Sequence, residues 1–349
     1  MFINKENKMV QIIEQDKCYM ENKRPLLSIC IPTYNRALAL KRNLECLVEL
    51  SGFDEEVEIV ISDNCSPDNT REIGEYFASK YSNIKYYRNE KNIRDANFSL
   101  AINRGHGEYK KLLNDNAVIL PNGLLYLKSI IRENLQDRCP LFFTDDQIFT
   151  KKKADVINCK DLNEYILALS AFITAISCFG VWREQWEAIE DKDKFATYLL
   201  SQVDWSFQIV CKFGGCKLYD KQYYYGFHPG GVRKGYNWFD VHMNNFYKIM
   251  QPYIERGFVS KETVRKDKIN HLYHFKPELF QIFFFPWRSY WKYDTEGSFK
   301  ILWSHCKNIP YFYYLMASAP IWGTWEYIIK KKILKPILQK MGLIKYFRK

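Results

Sequence analysis

The chain has 349 residues, 47% of them hydrophobic and 26% charged, with a net charge of +11. That balance excludes a disordered or fibrous chain and leaves room for one large or two modest cores. The excess charge is a property of the tail: residues 276–349 hold 13 Lys or Arg against 4 Asp or Glu, and the first 275 hold 38 against 36. A nucleic-acid enzyme carries basic residues along the groove of its main domain, so no nucleic-acid partner is expected.

The ten cysteines show no Cys-x-x-Cys pair and no zinc spacing with histidine. Cys30 and Cys46 fall on apolar positions, where Cys acts as a small hydrophobe. Residues 1–22 are polar and lack the apolar stretch of a signal peptide, which points to a reducing, cytoplasmic setting.

In chain order, residues 1–24 form a polar extension. Residues 26–31 (LLSICI) read as a strand that Pro32 should stop. Residues 37–50 have helical spacing, with Leu40, Leu44, Leu47 and Val48 on one face. A second buried strand, 57–61 (VEIVI), ends at a turn over 62–68. A helix over 68–81 follows, with Asp68 as its cap. Residues 84–87 give a third strand and 96–104 a third helix. A fourth strand spans 108–113, and Pro121 opens a helix over 121–135. Such alternation predicts an α/β fold, a mostly parallel sheet covered by helices. Ligands bind outside the carboxyl ends of strands in such sheets. Thr33–Arg36, Asp63–Asn64 and Asn114–Asn116 all stand at such ends.

Beyond residue 141, short strands mix with helices over 162–172 and 195–212. Residues 223–236 (YYYGFHPGGVRKGY) form a Gly-rich aromatic loop, and after 237 the pattern is mainly helical. Phe283, Phe284, Phe285, Trp287, Tyr290 and Trp291 crowd one stretch, and 309–329 carries a second aromatic set. Neither reaches eighteen uninterrupted apolar residues, so a membrane span is not expected. Aromatics beside Lys330, Lys331, Lys332, Lys335 and Lys340 fit an interfacial helix on anionic lipid. They equally fit a helical subdomain with solvated lysines.

Three segments, each at a strand end, together resemble the family 2 glycosyltransferases. They are 28–36 (SICIPTYNR), 57–68 (VEIVISDNCSPD) and 107–124 (GEYKKLLNDNAVILPNGL). Among subgroups the chain looks most similar to the abequosyltransferase-like enzymes of surface-polysaccharide synthesis. The resemblance is firm over 26–135 and thin beyond 204. It implies the glycosyltransferase-A fold, with a mainly helical C-terminal extension. The catalytic domain would span 25–236, with a nucleotide-sugar half at 25–135 and an acceptor half at 136–236. Residues 237–349 would be the helical, membrane-associating region.

By the same resemblance, Pro32, Thr33, Tyr34, Asn35 and Arg36 would cross the nucleoside of a nucleotide-sugar donor. Asp63, beside Asn64, would accept a hydrogen bond from the base or ribose. Arg94 and Asn97 match the segment between third strand and third helix, although a Gly is usual at Arg94. The family's Asp-x-Asp, which holds a divalent cation on the diphosphate, is reduced here to Asn114-Asp115-Asn116-Ala117. One carboxylate remains, so Mg²⁺ or Mn²⁺ on Asp115, with Asn116 beside it, would be held more weakly. Three readings stay open: a metal shared by Asp115 and the diphosphate, a metal-free site using Arg or Lys, or a degenerate enzyme.

Asp204, in Gln202-Val203-Asp204-Trp205, resembles the family's acidic residue before a Trp and would be the general base. It equally suits an aspartate favoured by a helix N-terminus. Glu184, Asp145 and Asp146 are fallback bases. His228 and Arg233 flank Gly230-Gly231, in a loop that either closes over the diphosphate or simply turns. The implied activity is inverting transfer from a nucleotide-sugar to a saccharide acceptor, lipid-linked by the same resemblance. The setting would be capsule or O-antigen synthesis at the inner face of the cytoplasmic membrane. A Rossmann oxidoreductase is disfavoured, because no Gly-x-Gly-x-x-Gly follows the first strand. A non-catalytic scaffold of a polysaccharide-assembly complex is the other alternative.

Overall fold

The computed structural model describes residues 24–144, 155–227, 233–284 and 291–324. They fall into two compact units, and the chain passes between them more than once.

The first unit takes residues 24–144, 176–193 and 217–227. Its elements run β1 (Leu27–Thr33), α1 (Ala37–Val48), β2 (Val57–Asp63), α2 (Thr70–Lys80), β3 (Ile84–Arg88), α3 (Ala96–Arg104), β4 (Tyr109–Leu112), β5 (Ala117–Ile119), α4 (Gly123–Glu133) and β6 (Leu141–Thr144). After an excursion into the second unit through β7 (Val156–Cys159) and α5 (Leu162–Leu169), the chain returns as β8 (Gly180–Trp182). It leaves again through α6 (Ser201–Phe213) and comes back as β9 (Cys216–Asp220) and β10 (Tyr224–Gly226).

The main sheet has the order β3-β2-β1-β4-β8, parallel except for β8, which runs antiparallel to β4. Strands β1, β2 and β4 are buried along their whole lengths. A parallel strand covered on both faces has this character, and it explains the continuous apolar runs in the sequence. Leu40, Leu44 and Leu47 of α1 are fully buried against this sheet core. Each such leucine contributes about 1.5–3 kcal/mol.

Pro32 does not stop β1, which continues to Thr33. The ladder explains this. Thr33 C=O accepts the Asn64 N–H on the β2 side, and Cys30 C=O accepts the Leu113 N–H on the β4 side. Residues alternate sides along a strand, so Pro32 faces β4. The last β1–β4 pair is Cys30 with Leu112, so no partner there needs the missing N–H. Helix α2 begins at Thr70, two residues after Asp68, and α4 begins at Gly123 rather than at Pro121.

The second unit takes residues 155–175, 194–216 and 233–324 among those described. It holds β7, α5, α6 and then α7 (Phe246–Glu255), α8 (Lys261–His274), α9 (Lys276–Phe283), α10 (Ser298–Cys306) and α11 (Pro310–Thr324). The helix expected over 162–172 ends at Leu169, where Ser170 takes φ 48°. Its Oγ donates to Asp267 Oδ1 at 2.6 Å, and Tyr247 Oη donates to Asp267 Oδ2 at 2.8 Å. Both Ser170 and Asp267 are fully buried. A buried carboxylate demands such donors, and this one bends the chain to obtain them. Burial pushes His242 down to about 3 and His274 down to about 4. These rings therefore pack as neutral groups at ordinary pH.

On α10 and α11, Leu302, Cys306, Phe312 and Leu315 face inward, while Phe299, Trp303, Tyr313 and Tyr314 are exposed. No helix among the described residues is long and apolar enough to cross a membrane. The aromatic run at 285–290 and the lysines from 330 onward lie outside the described residues.

Candidate donor site

The loops at the carboxyl ends of β1, β2, β3 and β4 lie in one unit, and hydrogen bonds tie them together. Asp115, just beyond β4, accepts from Thr33 Oγ1 at 2.9 Å through one carboxylate oxygen. Its other oxygen accepts from Arg36 Nη1 at 2.7 Å. Asn35 N–H donates to Ser66 Oγ at 2.8 Å, and Ala37 N–H donates to Asp68 at 2.9 Å. Asp68 also accepts from Thr70 N–H and Oγ1, so one carboxylate serves the first turns of both α1 and α2. Burial pushes Asp68 up, but the hydrogen bonds from Thr70 and Ala37 outweigh it, leaving the group below its ordinary value. Asn43, fully buried on α1, donates to the Asn114 carbonyl at 3.0 Å.

Asp63 is fully buried at the end of β2. Its Oδ1 accepts the Ser66 N–H at 2.9 Å, and its Oδ2 accepts Tyr86 Oη at 2.7 Å and Arg88 Nη1 at 2.8 Å. Burial, then the neighbouring carboxylate, pushes the Tyr86 phenol well up, so it stays a donor. Gly74 makes room for this ring: a Cβ there would stand 2.2 Å from Tyr86.

Asn64 Oδ1 accepts the Ile93 N–H at 2.9 Å, and its amide donates to Asn92 Oδ1 at 2.9 Å and to the Arg94 carbonyl at 3.1 Å. Asn97 Oδ1 accepts from Ser62 Oγ at 2.7 Å and Asn89 at 3.0 Å, and its amide donates to the Ser62 carbonyl at 2.8 Å. Asp63, Asn64 and Asn97 are thus framework side chains whose capacity is largely met within the protein.

What faces outward is a smaller set. Tyr34 is 44% exposed. Asn35 and Arg94 are exposed, and Arg36 is partly so. Asn35, Cys65 and Arg94 take φ 53°, 63° and 54°, one left-handed residue in each of three adjacent loops. Non-glycine residues hold this conformation at a cost, and such positions gather at ligand sites. The structure accounts for the Gly that is usual at this position, because the backbone of Arg94 is left-handed. Arg94→Gly should relieve about 1 kcal/mol of strain and raise Tm by roughly 2–4 °C. It should also weaken nucleoside-diphosphate binding roughly tenfold. Thermal unfolding and calorimetric titration read both, and undiminished binding would make the side chain a bystander.

Three features of the motif loop had no sequence signal. Lys111 is buried on β4 and donates to the Ser177 carbonyl at 2.5 Å, and burial pushes it down to about 7. Ser177 Oγ accepts the Asn114 N–H at 3.2 Å, and Tyr223 Oη donates to the Ser177 carbonyl at 2.6 Å. A turn 63 residues downstream of Asn114 therefore shapes the motif loop. Beyond it, β10 pairs antiparallel with β5. Phe227 N–H donates to the Asn116 carbonyl at 2.9 Å, and the Asn116 amide donates back to the Phe227 carbonyl at 3.0 Å. Arg42 stacks over the Phe227 ring at 4.4 Å. His228 and the Gly230-Gly231 pair lie outside the described residues, as does the side chain of Arg233.

Among the described residues, no three His, Cys, Asp or Glu side chains gather to hold a metal ion. Asp115 is the single carboxylate of its run, and a hydroxyl and a guanidinium already occupy both its oxygens. As arranged, these side chains offer a divalent cation one carboxylate, already bonded to a hydroxyl and a guanidinium, so most of its ligands would have to come from phosphate and water.

Asp204 belongs to the second unit, in the first turn of α6. It is buried, with Oδ1 accepting from Tyr253 Oη and Oδ2 from Gln208 Nε2, both at 2.8 Å. Burial, then the Asp204 charge, pushes the Tyr253 phenol well up. Of the fallback bases, Glu184 is bonded to Arg138 at 2.8 Å, and Asp145 and Asp146 lie outside the described residues. Asp95, beside Arg94 at the start of α3, was not singled out in the sequence; burial pushes it up to about 6.

A mostly parallel sheet, closed by an antiparallel strand and carrying its polar turns at the carboxyl ends, is the glycosyltransferase-A architecture. The model of glycosyl transferase family 2 matches residues 28–224, more than half of the chain. The chain belongs to this family. It is 28% identical over 219 residues to the abequosyltransferase of Salmonella typhimurium, covering 56% of this chain and 63% of that one. It is 28% identical over 102 residues to a GalNAc(5)-diNAcBac-PP-undecaprenol beta-1,3-glucosyltransferase of Campylobacter jejuni, covering 29% and 32%. The chain thus spans less than two thirds of either relative's length. Among solved structures, S. aureus TarS 1-349 in complex with UDP is alike in fold, with a TM-score of 0.52, 15% identity and 81% of each chain covered.

Proposed function

We propose that the chain transfers a sugar, with inversion, from a nucleoside-diphosphate sugar to a saccharide acceptor in surface-polysaccharide assembly. The observation that carries this reading is the strand-end cluster. An exposed Tyr34 and Asn35 stand beside the Thr33–Asp115–Arg36 bonds, with Arg94 exposed one loop away. Tyr34 offers a flat apolar face to a base. Arg36 and Arg94 offer fixed positive charge to the diphosphate as it leaves. Asp63, Asn64 and Asn97 hold the loops in shape instead of meeting the nucleoside directly.

Asp204 takes the proton of the acceptor hydroxyl as that oxygen attacks the anomeric carbon. Tyr253 Oη and Gln208 Nε2 hold it in position, both at 2.8 Å, and a carboxylate is acceptor-only when ionised, as a base must be.

A lipid-linked acceptor is supported by the Campylobacter relative, whose name carries a PP-undecaprenol acceptor. An anionic membrane surface as partner is supported by the exposed Phe299, Trp303, Tyr313 and Tyr314, with Lys300 and Lys307 on or beside the same helices. Aromatic rings beside lysines suit the headgroup boundary. The double variant Phe299→Ala/Trp303→Ala should float less with phosphatidylglycerol vesicles than the wild type does. Equal flotation would remove this face from the account.

The activity is tested with a panel of UDP-, GDP-, CDP- and dTDP-sugars, reading thermal shift and release of nucleoside diphosphate. At least one donor should stabilise the protein and be turned over. A panel without effect would sink the donor reading.

A further inference from the structure

We propose that Arg36 takes the place of the divalent cation on the donor diphosphate, so that this site binds nucleoside diphosphates without metal. The inference rests on the nucleotide-sugar reading above and goes beyond it. Charge counting supports it. Two carboxylates with one divalent cation sum to zero, and so do Asp115 and the Arg36 guanidinium, bonded at 2.7 Å. Losing a carboxylate and the metal together removes one net positive charge, which leaves the Arg36 guanidinium beside Asp115 as the cation offered to the diphosphate.

The geometry agrees. Thr33 holds one oxygen of Asp115 and Arg36 holds the other, so the carboxylate acts as a fixed anchor for the arginine. A guanidinium carries five N–H donors in a planar fork suited to phosphate oxygens. Asp115 takes one of them, and the Arg36 side chain remains 29% exposed. A metal ion on Asp115 would have to displace Arg36 or sit against its positive charge. Asn116 brings no charge to offset a metal's desolvation, and its amide nitrogen is tied to the Phe227 carbonyl at 3.0 Å.

The test is calorimetric titration of UDP, GDP, CDP and dTDP into the full chain, once in EDTA and once in Mn²⁺. For the nucleotide that binds, wild-type affinity should agree within about threefold between the two conditions. Arg36→Ala should lose roughly 10- to 100-fold in EDTA, the range for hydrogen bonds to a charged group. Mn²⁺ should then recover part of that loss, because the substitution removes the positive charge that opposes a cation at Asp115. Asp115→Asn separates the readings most sharply. With Arg36 in charge it should weaken binding less than about tenfold in EDTA, since the guanidinium remains and loses only its neutralising partner. A metal site would lose its last carboxylate in that variant. Wild-type binding that vanishes in EDTA and returns with Mn²⁺ would overturn the proposal and leave the donor reading standing. If no nucleoside diphosphate binds in either condition, both fail. Should Arg36→Ala not fold, the wild type and Asp115→Asn still decide.

Discussion

Asp204→Asn is expected to lower kcat by roughly a hundred- to ten-thousandfold, the usual contribution of a general base, while donor affinity stays unchanged. The substitution is a mild one for the fold. An Asn oxygen can still accept from Tyr253 Oη, and Gln208 can turn its amide to meet the new NH₂ group; these two donors now stand at 2.8 Å. What disappears is the ability to take a proton. The split between kcat and donor binding matters, because a purely structural Asp204 would show itself as lost stability. Near-normal turnover would place the base elsewhere, with Asp95 the next carboxylate to replace.

Asp63→Asn should instead act on stability. The carboxylate is fully buried and holds Arg88, Tyr86 and the Ser66 N–H together. Removing one partner of a fully buried pair costs about 3–5 kcal/mol. Arg88 is 31% exposed, so water recovers part of that, and a loss of about 2–3 kcal/mol is the better expectation. Tm should fall by roughly 4–12 °C. Nucleotide affinity should weaken too, because Ser66, which holds Asn35, takes its position from Asp63. An unchanged Tm would mean that Asp63 does not anchor the loop.

The sheet half was legible because its signals are local. Apolar runs such as VEIVI and their intervening amphipathic helices predict parallel strands whatever else the chain does, and α3 spans the residues expected of it. Strand ends were less legible. Pro32 reads as a breaker until the ladder shows its missing N–H facing an unpaired side. The break at Ser170 was invisible for a different reason. Its cause is Asp267, 97 residues away, and no local window contains both.

The candidate site divides in the same way. Its polar residues could be found as a set, because they all follow strands. Their division into framework and exposed members could not, since Asp63 and Tyr34 differ only in what packs over them. Lys111 and Ser177, which shape the motif loop from 66 residues apart, carry no pattern at all. Arg36 was legible as a strand-end residue, but its bond to Asp115 required the fold.

The most direct test of the strand-end pocket is hydrogen exchange on the full chain, with and without the nucleoside diphosphate that binds best. Protection is predicted at residues 33–37, 64–68, 92–97 and 114–117, the loops joined through Thr33, Asp115, Ser66 and Asn64. Unchanged exchange in all four loops, with protection elsewhere in the chain, would contradict the placement of the donor.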